Sequence, residues 1–132
     1  MKMEYEEKVS LMKECIEQYV SPIYISGKIA YPDSSRITII SALIKKEELI
    51  ILNNEYPEWL KKVFQNDGMK NNLLLINDFD KINLEEQNKF IDIICKNYCS
   101  SVKLPDNLKI IINSSKPCNL NSNIKEVIQY VG

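Results

Sequence analysis

The sequence predicts an α/β fold: a three-layer αβα sandwich built on a mainly parallel sheet of five strands. Short, entirely apolar blocks recur along the chain, as is typical of strands that are buried on both faces. Between these blocks lie segments of about 10 to 15 residues whose apolar positions have helical spacing. This alternation indicates a parallel sheet with helices on both faces. Because the chain has 132 residues, we expect a single domain over residues 1–132.

The first third of the chain is expected to contain a helix, a strand and a second helix. The first helix covers residues 3–19, where apolar side chains recur at steps of three and four: Tyr5, Val9, Met12, Ile16 and Val20. Pro22 ends this helix, since proline disfavours helical geometry in the residue before it, and residues 23–26 form the first strand. A second helix is predicted over residues 33–47, with Asp33 and the two serines after it as capping side chains.

The middle of the chain continues the alternation. Residues 49–52 form a four-residue apolar block that predicts the second strand. Pro57 suits the first position of a short helix, which Asp67-Gly68 ends. Residues 73–76 are the next apolar block and predict the third strand.

The last third is expected to contain one more helix and two strands. Asn83 and Glu86 have the spacing of a capping box at a helix start, and the helix carries an apolar stripe: Phe90, Ile91, Ile94, Cys95 and Tyr98. Residues 109–113 predict the fourth strand and residues 127–131 the fifth. Ligands bind beyond the carboxyl ends of the strands in sheets of this type, so the polar residues that follow the strands are the candidates for a site.

The composition disfavours several classes of function. The net charge is -1 and no basic cluster exceeds a lysine pair, so the surface expected of a duplex-binding protein is missing and nucleic acid is an unfavoured partner. No apolar run approaches the roughly 20 residues of a membrane span, and the N-terminal stretch is charged and amphipathic rather than a signal peptide. We therefore expect a cytoplasmic protein with no membrane partner. The chain has no histidine and no serine or cysteine nucleophile with a basic partner, so no enzyme class gains support.

The chain has four cysteines, which we expect to be reduced because a chain of this length can build a core without disulfides: Cys15, Cys95, Cys99 and Cys118. Cys95 and Cys99 are four apart in a predicted helix and would share a face. They are a feasible pair of zinc ligands if the other two cysteines came near. Their spacing is not that of a known zinc motif, so we favour thiols that only pack, and no metal.

Two segments resemble the core of the AAA+ ATPases. Residues 73–82, Leu-Leu-Leu-Ile-Asn-Asp-Phe-Asp-Lys-Ile, resemble the Walker B strand and its following turn, which in that family reads as four apolar residues, Asp-Glu, an apolar residue and Asp. Residues 104–117 are similar to the sensor 1 strand, which in the family often ends Thr-Asn-Arg-Pro. The spacing of about thirty residues between the two segments also fits. The resemblance covers nearly the whole chain and implies a P-loop NTPase fold.

The resemblance also implies a damaged phosphate loop. A Walker A motif reads Gly-x4-Gly-Lys-Ser/Thr, because its backbone N–H groups wrap the phosphates and its lysine reaches them. Counted from Gly27, this chain has Pro32 at the second glycine and Asp33 at the lysine, and only Ser34 is kept. Proline lacks the amide donor and aspartate repels phosphate.

The metal side of the implied site is altered as well. Asn77 takes the place of the metal-holding Asp, and an amide lacks the charge that Mg²⁺ prefers. Asp78 replaces the catalytic Glu, Ser115 replaces the sensor 1 Asn, and no arginine finger is evident. The helical lid of the family, with its second sensor, is also expected to be missing. The resemblance therefore implies a vestigial nucleotide site with no catalytic residue and no cofactor: Gly27, Asp33, Ser34, Asn77, Asp78 and Ser115.

A simpler interpretation of the same residues is structural. Asn77, Asp78 and Asp80 suit the turn that leads to the helix cap at Asn83, because Asx side chains bond to nearby backbone groups in turns. Asp33 and its neighbouring serines suit a helix cap for the same reason.

Together these features predict a non-catalytic protein–protein interaction module: an adaptor, a scaffold or an inhibitor. Its partner would be another protein, such as an AAA+ ATPase whose subunit it mimics, and self-association is an open alternative. Tyr56 and Trp59 are the candidate interface residues, since aromatic side chains anchor interfaces, although Trp59 with Phe64 also suits a core. A second hypothesis is a nucleotide-binding switch with weak affinity for ATP or ADP and no turnover. A third is an unrelated α/β domain with a coincidental Walker-like strand.

Overall fold

The structure, a computed structural model, describes residues 5–18, 22–29, 35–69 and 71–131. Within these ranges the α-helices are α1 (Tyr5–Glu17), α2 (Glu58–Gln65), α3 (Ile91–Lys96) and α4 (Ser122–Lys125). The strands are β1 (Ile23–Ser26), β2 (Arg36–Ser41), β3 (Asn72–Asn77), β4 (Tyr98–Cys99), β5 (Val102–Lys103), β6 (Leu108–Ser114) and β7 (Gln129–Tyr130). Short 3-10 helices cover Lys46–Leu49, Phe79–Lys81 and Glu86–Phe90.

Five of these strands form one sheet in the spatial order β2-β3-β6-β1-β7, and every neighbouring pair is parallel. β4 and β5 form a separate antiparallel pair. The prediction of an α/β fold with a mainly parallel five-stranded sheet is confirmed, and the flanking helices are consistent with a three-layer sandwich. β6 lies between β3 and β1, so the carboxyl ends of these three strands are neighbours at one edge of the sheet.

Apolar side chains pack on both faces of the sheet. On one face, Met12 and Ile16 of α1 pack in a cluster with strand residues that include Leu73 and Leu75. On the opposite face, the larger cluster joins α2, α3 and α4 to strand residues that include Leu74 and Ile76. Successive side chains of a strand point to opposite faces. This is why residues 73–76 of β3 are all apolar.

The predicted helix over residues 33–47 is wrong, because Arg36–Ser41 is strand β2. Ile37, Ile40 and Ile44 do have helical spacing. However, residues 37–40 are four consecutive β-branched side chains, which are stiff in a helix and suit a pleated strand. The start of that prediction, residues 33–34, lies outside the described residues.

The predicted strand at residues 49–52 is also wrong. Leu49 ends a 3-10 helix and is buried, whereas Leu52 makes one isolated bridge with Glu55. Asn53 and Asn54 lie between Leu52 and Glu55 and form a turn, with φ of 52° and 62°. β2 occupies the position beside β3 in the sheet. Residues 49–52 therefore lie outside the sheet and are not covered on both faces.

The capping box is confirmed, but the helix that it starts is shorter than predicted. The Glu86 N–H donates to Asn83 Oδ1 at 2.8 Å, and the Asn83 N–H donates to Glu86 Oε1 at 3.4 Å. A 3-10 turn follows, and α3 then ends at Lys96, before Asn97, whose φ is 62°. Cys99 therefore belongs to β4 and not to the helix. The sequence prediction missed β4, β5 and α4.

In the part of the chain that the structure describes, no helix has the length and apolar character needed to cross a membrane.

Candidate functional site

Four residues of the implied nucleotide site, Gly27, Asn77, Asp78 and Ser115, lie where the carboxyl ends of β1, β3 and β6 meet. Gly27 follows β1, Asn77 ends β3 and Ser115 follows β6. The chain leaves β1 in the direction of β2 and leaves β6 in the opposite direction, past β1 to β7. In open α/β sheets, a reversal of this kind marks the crevice in which ligands bind. The topology therefore brings these four predicted residues to the place where a site is expected.

The backbone around Gly27 is engaged by its neighbours. Gly27 has φ of +88°, a conformation that favours glycine, and its N–H donates to the carbonyl oxygen of Ser114 at 2.8 Å. Asn113 Nδ2 donates to the carbonyl oxygens of Ile25 at 2.9 Å and Gly27 at 3.0 Å. The ammonium of Lys8 donates to the carbonyl oxygen of Ser26. A phosphate cradle needs free N–H groups. Here the Gly27 N–H is already bonded, and the carbonyl oxygens of Ile25, Ser26 and Gly27 accept hydrogen bonds from side-chain donors.

The described residues leave no room for a helix that continues beyond a phosphate loop. β1 ends at Ser26 and β2 begins at Arg36, which leaves nine residues between them. Eight of these would be needed for a Walker A motif counted from Gly27. Arg36 is already in the sheet, with its N–H bonded to the carbonyl oxygen of Asn71 at 2.9 Å. A helix cannot therefore continue past the motif, as it does after a phosphate loop. Asp33 and Ser34 lie outside the described residues.

The carboxylate of Asp78 bonds to its own turn and to β2. Asp78 has φ of 62°, a left-handed conformation that is commoner for Asp than for most residues. The Ser41 hydroxyl donates to Asp78 Oδ2 at 2.9 Å, and Lys81 Nζ lies 3.5 Å from Asp78 Oδ1. The carbonyl oxygen of Asn77 accepts from the Ala42 N–H at 2.7 Å. These contacts join the end of β3 to the end of β2.

Asp80 and Ser115 join the turns after β3 and β6. The Ser115 hydroxyl donates to Asp80 Oδ2 at 2.8 Å, and the Ser115 N–H donates to Asp80 Oδ1 at 3.2 Å. Burial is the largest single influence and acts to raise the pKa of Asp80. The two bonds from Ser115 and the charge of Lys116 together outweigh burial, so this pKa lies below its ordinary value. Asp80 is therefore held as a charged acceptor for Ser115.

The arrangement is a set of bonded turns rather than an open metal site. The Asp78 and Asp80 carboxylates face different partners, Ser41 with Lys81 in one case and Ser115 in the other. Across the described ranges, no three His, Cys, Asp or Glu side chains are grouped so that they could hold a metal ion. The turn interpretation fits the left-handed Asp78 and the 3-10 helix after it, but the Asp78 and Asp80 carboxylates bond mainly to distant segments, at Ser41 and Ser115.

A buried polar contact beneath this edge was not predicted from the sequence. Tyr24 Oη lies 2.7 Å from Ser114 Oγ, and the Cys118 N–H donates to Tyr24 Oη at 3.1 Å. Burial raises the pKa of Tyr24, and the contacts with Ser114 and Cys118 act in both directions. Tyr24 sits inside an apolar strand block, so the local sequence carries no signal for this contact.

The two candidate interface residues lie beside the outer edge of β2. Trp59 is only 7% exposed, and its Nε1 donates to the carbonyl oxygen of Glu48 at 2.8 Å. Tyr56 is half-buried, with its ring centroid 5.6 Å from that of Phe64. Both aromatic residues line an open groove of about 760 Å³ that runs along Ile39 and past Leu52. Trp59 thus supports the wall of the groove, and Tyr56 is the more accessible of the two.

The structure separates Cys95 from Cys99. Cys95 Sγ lies 3.6 Å from the carbonyl oxygen of Asn123, while Cys99 Sγ lies 3.1 Å from that of Leu49. The proposed sharing of a helix face is wrong because α3 ends before Cys99. Burial raises the pKa of both thiols, that of Cys99 to about 11.

Comparison with known proteins does not identify a family. No protein-family model matches the chain, and no curated protein or solved structure matches it either. The function must therefore be inferred from the contacts described above.

Proposed function

We propose that this chain is a non-catalytic protein-binding module, acting as an adaptor, a scaffold or an inhibitor, on a degenerate AAA+-like core. The observation that carries the proposal is an exposed apolar surface along the outer edge of β2. Ile39, Leu43 and Leu52 are 59%, 56% and 60% exposed there, and all three line one groove. Contiguous exposed apolar surface of this kind typically marks a site of protein–protein interaction.

The contacts at the carboxyl ends of β1, β3 and β6 support the proposed loss of catalysis. Hydrolysis of a nucleotide needs free backbone donors for the phosphates and charged oxygen ligands for Mg²⁺. The Gly27 N–H is bonded to Ser114, and the Asp80 carboxylate is bonded to Ser115. Asn77 carries an amide where a carboxylate is needed, and Arg36 begins a strand where the helix after the loop would lie.

The position of the strands supports the AAA+-like part of the proposal. A nucleotide site made of the loop after the first strand, the Walker B strand and the sensor 1 strand requires these strands to end side by side. In this sheet β1, β6 and β3 are consecutive, and the segments that resemble sensor 1 and Walker B are β6 and β3. The carboxyl ends of these strands are thus placed as an ancestral nucleotide site would require, but their polar groups now bond to other groups of the chain.

Nucleotide assays test the loss of the site. The purified chain is incubated with ATP and Mg²⁺, and both phosphate release and the shift of Tm with ATP or ADP are measured. A nucleotide present at a hundred times its Kd would add about 2.7 kcal/mol to the free energy of unfolding. We expect no phosphate release and no shift. A shift without turnover would favour the nucleotide switch, and turnover would refute the proposal.

Partner capture tests the binding function itself. The chain is immobilised, incubated with an extract of its native host, and the retained proteins are quantified by mass spectrometry, with size-exclusion chromatography of the free chain alongside. We expect one or a few proteins to be retained at stoichiometric amounts. The absence of both a retained partner and self-association would count against a binding module of any kind.

A further inference from the structure

We propose that the outer edge of β2 binds an extended, basic and apolar segment of a partner protein, which pairs with β2 as an additional strand. The inference rests on the proposed function, because it names the surface and the partner chemistry of that function. It depends on three separate properties of this edge: its backbone, its apolar side chains and its charge.

The backbone of β2 offers unpaired groups to a new strand. In a parallel ladder the N–H and C=O of alternate residues point to the same neighbour. The register of β2 with β3, and the bonds from the Arg36 and Ala42 N–H groups at its two ends, assign residues 36, 38, 40 and 42 to β3. The N–H and C=O of Ile39 therefore point away from the sheet, and no bond to them is made by any other described residue. This is the arrangement that an added strand requires.

The side chains beside this backbone are apolar and open to solvent. The groove of about 760 Å³ follows residues 39–41 and is continued by Leu43, Leu52 and Tyr56. Exposed edge strands are usually blunted by lysine, proline or a bulge. β2 has none of these between residues 37 and 41. An edge left in this state suits a strand that is added by a partner.

The charge around the groove selects the partner. Four glutamates line it, Glu47, Glu48, Glu55 and Glu58, and none of the lining residues is Lys or Arg. Among the described residues, Glu58 is the one glutamate of the four that forms a salt bridge, with Lys61 at 3.0 Å. A segment with Lys or Arg beside its apolar residues would complement this surface, whereas an acidic segment would be repelled.

The same charges disfavour a second copy of this chain as the occupant. Two β2 edges that paired about a two-fold axis would bring two identical sets of glutamates to one interface. Like charges that face one another across an interface are unfavourable. A different protein with basic residues meets no such repulsion.

The test begins with selection of a defined ligand. Random 12-residue peptides displayed on phage are selected against the folded full-length chain, and the affinity of the best synthetic peptide is measured by fluorescence anisotropy. We expect peptides that alternate apolar residues with Lys or Arg. Selection of acidic peptides, or of none, overturns the proposal.

Two sets of variants then locate the peptide. In the first, single peptide amides are N-methylated in turn, and we expect about tenfold weaker binding at alternate positions only, since every second amide of an added strand faces β2. In the second, Ile39→Pro removes the outward N–H without removing a bond to β3 and should weaken binding about tenfold. Met69→Lys, at an exposed apolar residue outside the groove, is the matched control and should bind normally. If Ile39→Pro does not fold, the N-methyl series decides alone.

Charge and self-pairing complete the test. Replacing the four groove glutamates by glutamine should weaken binding and flatten its dependence on salt. Equal loss at all N-methylated positions, or unchanged binding by Ile39→Pro, refutes strand addition. A wild-type dimer that Ile39→Pro makes monomeric refutes the basic partner, because the occupant is then a second copy.

If Ile39→Pro captures the native partner as well as the wild type does, this inference fails while the proposed function stands. If the wild type captures nothing, the proposed function fails.

Discussion

Asp80 and Ser115 are thirty-five positions apart in sequence and are joined by two hydrogen bonds, from the Ser115 hydroxyl at 2.8 Å and from its N–H at 3.2 Å. In an AAA+ active site, the residue at the position of Ser115 would face a nucleotide. In this chain it faces the turn after the neighbouring strand. The contact therefore stabilises the fold with groups that would otherwise be available to a ligand.

Breaking this contact is expected to reduce stability in a pH-dependent way. Ser115→Ala removes the hydroxyl bond and should cost about 1 kcal/mol of the free energy of unfolding at pH 7. The folded pKa of Asp80 is lowered, so its contribution is present above the unfolded pKa near 4 and is lost as the pH falls through the lower folded value. Urea unfolding between pH 7 and pH 3 measures this. The wild type and Ser115→Ala should converge at the acid end, and a constant difference would contradict the assignment.

Gly27→Ala is expected to destabilise the chain through its backbone conformation. Gly27 has φ of +88°, and a Cβ there would lie 3.4 Å from Lys8 Nζ, an ordinary contact with a flexible side chain. The loss should therefore be the conformational cost alone, about 1 kcal/mol. Gly68→Ala is the matched control, since Gly68 has φ of +82° and no atom within 4 Å of the added Cβ. Equal losses in thermal unfolding would support this reasoning. A much larger loss for Gly27→Ala would show that the bonds around Gly27 are disturbed as well.

Three of the strands predicted from the sequence, β1, β3 and β6, are buried on both faces, whereas the strand predicted at residues 127–131 is observed only as the short, exposed β7. β3 and β6 are covered on both sides, so their apolar blocks are unbroken and have no competing helical interpretation. β2 lies at the edge, where the polar Thr38 is buried and the apolar Ile39 is exposed, so its sequence pattern does not follow its burial and the helical spacing of Ile37, Ile40 and Ile44 competes. Its place in the sheet depends on pairing with β3, which is thirty-six positions away in register, and local spacing carries no information on that pairing.

The candidate site was predictable in position but not in its contacts. The order of strands and turns was enough to place Asp78, Asp80 and Ser115 after strands that end at one edge. Which of the two carboxylates bonds to Ser115 depends on the left-handed turn at Asp78, which directs Asp78 towards Ser41 instead. The resemblance to an ATPase motif identified the positions without revealing that they bond to one another.

Thr38→Val is expected to stabilise the chain. The Thr38 side chain is 2% exposed and faces the larger core, and its hydroxyl has no hydrogen-bond partner among the described residues. Valine has nearly the same shape and no polar group to leave unsatisfied, and both residues suit a strand. The free energy of unfolding in urea should rise by about 1 kcal/mol. Because Thr38 faces away from the outer edge of β2, peptide binding at that edge should not change. A loss of stability would indicate a partner for the hydroxyl in the remaining residues.

Cys99 is expected to make stability fall at alkaline pH. It is 1% exposed, and burial raises the pKa of its thiol from 9.0 to about 11. The thiol therefore contributes stability that is fully present below pH 9 and is lost as the pH rises towards 11, since the unfolded chain releases the proton first. Between pH 9 and pH 11, the free energy of unfolding of the wild type should therefore fall by up to about 2 kcal/mol relative to that of Cys99→Val. Urea unfolding at pH 8, 9, 10 and 11 measures the difference. Cys95 and Cys15 also have raised pKa values, but they are present in both proteins and cancel. A difference that does not vary with pH would mean that Cys99 does not titrate in this range.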